Sequence, residues 1–249
     1  MLTDLLLLSG NDIPFIEAGL VLHQPTIKEI GYIGESCFFT GLEMLNFSKN
    51  ILPEEDKIHL ESQSNFDILI AILREQKNAV MQKNRNCVLM VLALIFPLYS
   101  ISFSLNAIEF KKDDEEETYY INNSNFDEFQ NIISQMFDYE KSEGQDYNPG
   151  GDMAKKIADK LKKRHQRLAK AKAKGNENKK LTIFSRYVSI LAVGEQKDIN
   201  SLLNYTVYQL YDEFKRYELK IGYDIYIQAK MAGAKDLKEV DDWMVDIHS

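Results

Sequence analysis

The sequence predicts a mainly α-helical protein, a helical bundle with a small β-hairpin insertion, on three observations. Leu203, Val207, Leu210, Phe214 and Tyr217 follow one another at steps of 4, 3, 4 and 3, which lays one apolar stripe along a helix. The run from Cys87 to Phe96 (CVLMVLALIF) is apolar throughout and closed by Pro97, so it reads as a helix buried on all sides at the centre of a domain. The hairpin is expected near residues 105–122, where the alternating SISFSLNAIEF and TYYIN flank the charged KKDDEEE.

In chain order, MLTDLLLLSG holds a short apolar run with Asp4 before it and no basic segment or cleavage site, which is not a signal peptide. Asp12-Ile13-Pro14 opens an extended entry, and GLVLHQP reads as strand-like or irregular. Pro25-Thr26 starts a helix with Thr26 and Glu29 in its first turn. Ile27, Ile30, Ile33 and Phe38 continue at helical spacing, interrupted by Gly31, Gly34 and Gly41. Small residues let another backbone approach, so a tightly packed first helix pair is expected. Pro53-Glu54-Glu55 marks a further helix start, and Asn65 is read as the cap of FDILIAILREQKNAVMQKNRNCVLMVLALIF. That stretch is long enough for two helices with a break at Lys83-Asn84-Arg85-Asn86. Asn125 caps FDEFQNIISQMF, whose Phe126, Phe129, Ile132, Ile133 and Phe137 share a face. EGQDYNPGGD has linker composition, and MAKKIADKLKKRHQRLAKAKAK after it is rich in helix formers. The chain therefore divides into residues 1–142, a linker and basic helix at 143–180, and an aromatic-rich helical region at 181–249.

The net charge of −8 is unevenly spread. Residues 153–180 carry twelve Lys or Arg against Asp159 and Glu177, a net +10 that leaves −18 on the rest. Such a segment fits an acidic surface of its own or a neighbouring subunit, an acidic protein partner, or nucleic acid along residues 153–174. It has no aromatic residue to stack a base, and the acidic body repels a polyanion, so protein is the preferred partner. Lys162, Lys163 and Arg167 are its candidate contacts. Tyr205, Tyr208, Tyr211 and Trp243 are the candidates on the aromatic C-terminal region, since aromatic side chains with a polar tip suit interfaces.

Little in the chain points to catalysis. His23, His59, His165 and His248 lie at no metal-ligand spacing. The cluster Asp113, Asp114, Glu115, Glu116 and Glu117 lacks the alternation and glycine of a calcium loop and reads as a solvated hairpin tip. NPGGDMAKK lacks the Gly-Lys-Ser/Thr ending of a phosphate loop. Cys37 and Cys87 sit in apolar surroundings and are expected to be buried free thiols of a protein made in a reducing cytoplasm. The run at 87–96 is too short for a membrane span, which needs roughly 20 residues. The expectation is a protein without catalytic, cofactor or metal residues that binds other proteins.

Four motifs carry a resemblance: QPTIKEIGYIGESCFF, NFDEFQNIISQMF, the block FSRYVSILAVG, INSLLNYTVYQLYDEFKRY and YDIYIQAKMAGAK, and DWMVDIH. They resemble tailed-bacteriophage proteins of the tail-morphogenesis, tail assembly chaperone-like kind, in the same order from Pro25 onward. The resemblance implies a non-enzymatic assembly protein of the host cytoplasm with tape measure or tail tube proteins as partners, self-association being a further mode. Its alternative is a permanent virion component, a tail or connector subunit. It implies no catalytic residues.

Overall fold

Thr3 accepts the Leu6 N–H and caps the first helix, α1 (Asp4–Ser9), which Gly10 ends in the left-handed conformation at φ 68°. The computed structural model describes residues 2–49, 62–74, 79–112, 117–139, 183–234 and 242–245. After α1, β1 (Ile13–Phe15) and β2 (Leu20–Leu22) pair antiparallel, Ile13 opposite Leu22 and Phe15 opposite Leu20. Those four side chains are buried, while Pro14 and Val21 point away. Pro14 is tolerated because a two-stranded ribbon leaves one edge of each strand unpaired.

Thr26 and Glu29 form a reciprocal capping box at the start of α2 (Ile27–Ile33). Gly34, at φ 82°, turns the chain into α3 (Glu35–Leu45). The next helix, α4 (Asn65–Arg74), is capped one residue earlier than expected. Ser64 Oγ accepts the Asp67 N–H at 3.0 Å and Asp67 returns the bond, while Asn65 Oδ1 accepts the Lys49 N–H at 2.9 Å. The expected break at residues 83–86 is absent, and α5 runs unbroken from Ala79 to Ile95. It is not buried on all sides either. Cys87, Val88, Val91, Leu92 and Ile95 face inward, but Met90 is 46% exposed.

Of the three glycines read as marking a tight helix pair, only Gly41 makes one, between α3 and α5; a Cβ on Gly31 or Gly34 would meet nothing within 4 Å. A Cβ on Gly41 would lie 2.6 Å from the Cys87 carbonyl oxygen, so only glycine permits the crossing.

The fold class departs from the expected bundle with one hairpin. Besides the β1–β2 ribbon there is a three-stranded antiparallel sheet in the order β3 (Ser100–Phe103), β4 (Ala107–Lys111) and β5 (Thr118–Asn122). The protein is therefore mixed α/β, not a helical bundle with an insertion. SISFSLNAIEF holds two strands, folded back where Ser104 N–H bonds to the Ala107 carbonyl at 2.9 Å. No glycine or proline marks that turn, so it passes as one alternating run. The sheet buries Ile108, Phe110 and Ile121 against the body, in the same core to which α6 (Phe126–Met136) contributes Phe126, Phe129, Ile132 and Ile133. Asn125 stands at the cap position of α6 but its side chain turns to the sheet, donating to the Tyr120 carbonyl and accepting the Asn122 N–H.

The C-terminal helices are α7 (Ile183–Gly194), α8 (Ile199–Leu203) and α9 (Val207–Met231). The helix start read at Pro53, the linker and the basic helix lie outside the described residues.

A candidate interaction face on the C-terminal helices

The apolar stripe spans two helices. Leu203 closes α8, and Thr206 then caps α9 with Gln209 in a second capping box. Val207, Leu210 and Phe214 are buried, at 1%, 0% and 8% exposure, and Tyr217 is half-buried. A Cβ on Gly194 would overlap the Tyr217 ring, so the end of α7 lies against the middle of α9.

This first half of α9 is bound to the N-terminal elements. Ile27 N–H donates to the Tyr205 carbonyl at 2.9 Å beside a bridge between Thr26 and Thr206. Gln209 Nε2 donates to the Leu8 carbonyl at 2.7 Å, and Lys215 pairs with Asp138 at 2.7 Å. At the start of α7, Glu35 Oε1 accepts the Phe184 N–H at 2.6 Å. Burial raises the Glu35 pKa, although the Phe184 and Ile183 N–H groups act against it. Rings join the two parts as well, Phe184 lying 5.9 Å from Phe38 and 5.2 Å from Phe39, while within the C-terminal helices Tyr187 stacks on Phe214 at 3.8 Å. Between α2 and α7–α8 runs an apolar groove of about 490 Å³, with Ile27, Ile30, Val188 and Leu203 among its walls.

The tyrosines proposed as contacts have internal partners. Tyr208 is buried and donates to Asp4 Oδ1 at 3.2 Å. Tyr211 packs between Phe184 and Tyr187. Burial first, then nearby carboxylates and Tyr187, raise the pKa of these two phenols, so both stay neutral. Tyr205 is half-buried and its hydroxyl accepts from Lys197 Nζ at 3.3 Å. Lys197 also meets Glu213 at 2.5 Å and Glu195 at 3.3 Å, tying the α7–α8 turn to α9. Burial alone would lower the Lys197 pKa, but Glu213, Tyr205 and Glu195 outweigh it and raise it. Trp243 is 39% exposed, and its carbonyl accepts from Arg216 at 3.1 Å. Lys162, Lys163 and Arg167 lie outside the described residues.

Beyond Tyr217, α9 carries exposed apolar side chains. Ile221 is 38% exposed, Ile225 61% and Met231 83%, and Met244 and Val245 beside Trp243 are exposed too. Ile221 and Ile225 stand one turn apart, so they form a continuous patch. Sequence reasoning named the tyrosines and missed these residues. The signal was present in YDIYIQAKM, where isoleucines continue after the stripe ends.

Residues 172–248 match the family model described as YomV second domain. That family is phage-derived, from a Bacillus prophage, and the match supports a phage origin for the chain without reaching a tail assembly role. It takes in all of α7, α8 and α9. No curated protein and no solved structure matches the chain. Among the described residues no helix is long and apolar enough to cross a membrane, and no three His, Cys, Asp or Glu side chains converge as a metal site.

Proposed function

We propose that this chain is a non-enzymatic phage assembly protein, chaperone-like toward tail proteins, which binds its partner along the second half of α9. One observation carries the reading: a 25-residue helix packs its first two turns into the core and leaves Ile221 and Ile225 exposed, one turn apart on one face. Isolated exposed hydrophobic residues are ordinary on soluble proteins. A patch on one face of a helix is a surface that a second helix or an apolar groove covers. The match to a phage-derived family over this same region supports a phage protein, and tape measure and tail tube proteins are the partners proposed for it.

The test is co-expression with the phage's tail tube and tape measure proteins, followed by affinity purification of the complex. Ile225→Ser should abolish co-purification while leaving the thermal midpoint unchanged. Retention of both partners by that variant would overturn the assignment of this face. Mass spectrometry of purified particles then separates a departing chaperone, absent from them, from a permanent virion component.

A further inference from the structure

Cys37 on α3 and Cys87 on α5 are both free, and their sulfurs lie 2.7 Å apart across the helix crossing that Gly41 makes close. Two independent features place them there. Gly41 follows Cys37 by one turn on α3 and touches the Cys87 carbonyl, so the backbones themselves meet at this point. Cys37 also reaches Met90 Sδ at 3.6 Å, which fixes its side chain toward α5. Cys87 is buried and Cys37 half-buried, and both line a pocket of about 400 Å³ together with Lys83 and Asn86. The expectation of two buried thiols therefore holds for Cys87 alone. Of the two sulfurs facing this pocket, Cys37 belongs to the more exposed residue and is the one a small reagent meets first.

We infer that Cys37 and Cys87 form an oxidisable pair, a site that takes a low-molecular-weight disulfide as its oxidant and becomes a covalent link pinning α3 to α5. In the first step the Cys37 thiolate attacks one sulfur of the reagent, whose S–S bond breaks and releases one thiol. In the second, Cys87 gives up its proton and attacks the Cys37 sulfur of the mixed disulfide, expelling the second thiol. Two S–H bonds are lost from the protein, and the reagent takes up two electrons and two protons. Burial, and then the bond and repulsion from Cys87, push the Cys37 thiol up to about 12, opposed only by Lys83. The first step is consequently slow at neutral pH. The second is intramolecular between sulfurs already in contact, so the mixed disulfide does not accumulate.

The full chain is incubated in native buffer with oxidised glutathione in excess over reduced, quenched with acid, alkylated and digested without reductant. The expected product is a single species in which the Cys37 peptide is joined to the Cys87 peptide. The variant Cys87→Ser should stop at a glutathione adduct on Cys37. The oxidised wild type should melt roughly 5–15 °C above the reduced protein, because the link closes a long loop in the unfolded chain. Two free thiols at the end of the incubation, a stable glutathione adduct on wild-type Cys37, or a link formed only in urea would each overturn the pairing. An unchanged melting point of the linked protein would overturn the pinning.

Discussion

Gly41 shows how much one missing methyl group decides here. With the Cys87 carbonyl 2.6 Å and a Val91 methyl 2.6 Å from where its Cβ would be, alanine has nowhere to go unless α3 lifts from α5. Gly41→Ala should destabilise by about 1–3 kcal/mol, the range of overpacked cores, as measured by urea unfolding. Gly31→Ala is its counterpart, since the new Cβ meets nothing within 4 Å in a helix. It should be neutral or stabilise by about 0.5–1 kcal/mol through helix propensity alone. Equal losses at both positions would show that the α3–α5 contact is not the cause. Glu29 supplies a pH test. Burial would raise its pKa, but bonds from Thr26 N–H at 2.7 Å and Thr26 Oγ–H at 2.8 Å, with His23 beside them, hold it below the ordinary 4.5. The folded state therefore binds the proton less well than the unfolded chain does. The stabilisation is present above pH 4.5 and is lost as pH falls through the lower folded value. Glu29→Gln removes that loss, so the midpoint of the variant should fall less than that of the wild type between neutral pH and pH 4. Parallel decline of the two would mean that the capping carboxylate is not linked to folding.

At the scale of the element, α9 combines a structural half and an exposed half, and substitutions should separate them. Leu210 is fully buried, and Leu210→Ala should cost about 2–5 kcal/mol by chemical unfolding. Ile225 is 61% exposed, and Ile225→Ser should lie within about 0.5 kcal/mol of wild type. A large loss at Ile225 would mean that this face is covered in the free protein. The stripe from Val207 to Tyr217 was legible because four side chains repeat at helical spacing. The capping box at Thr26 and the buried face of α6 were legible for the same reason, each rule acting within one turn or two. What stayed hidden depends on distant partners. The stretches that become β1 and β2 read only as an extended entry and a strand-like or irregular approach, because three residues are too few for alternation to show that they pair. The charged and amide run Lys83 to Asn86 imitates a helix break, yet it continues α5 because its neighbours Cys87, Val88 and Val91 are held by packing. The candidate site was half legible. Tyr208 and Tyr211 carry the composition of an interface, but Asp4 and Phe184, more than 200 and some 27 positions away, take them inside.

For the whole molecule, the question is whether the matched C-terminal segment can stand alone. Its buried Phe184, Val188, Leu191, Leu202, Val207, Leu210 and Phe214 belong to one continuous core with Leu7, Ile27, Phe38 and Phe137. The backbone is shared as well, through the Ile27–Tyr205 bond and the Thr26–Thr206 bridge. Cutting the chain before α7 would expose one side of Phe184 where Phe38 and Phe39 now lie, and would leave Tyr208 without Asp4. A helical hairpin with a single thin layer buries too little apolar surface to offset the entropy of ordering it. A fragment of residues 172–249 should therefore show helical circular dichroism without a cooperative thermal transition, and should bind a hydrophobic dye. Adding the complementary fragment of residues 1–171 should restore cooperativity and release the dye. The intact chain should unfold in one transition seen alike by tyrosine fluorescence and by circular dichroism. A sharp transition in the isolated C-terminal fragment, near the midpoint of the intact chain, would make it a self-sufficient module merely resting on the N-terminal elements. The bonds from Ile27, Leu8 and Asp4 would then be docking contacts open to competition by a partner, instead of parts of one folding unit.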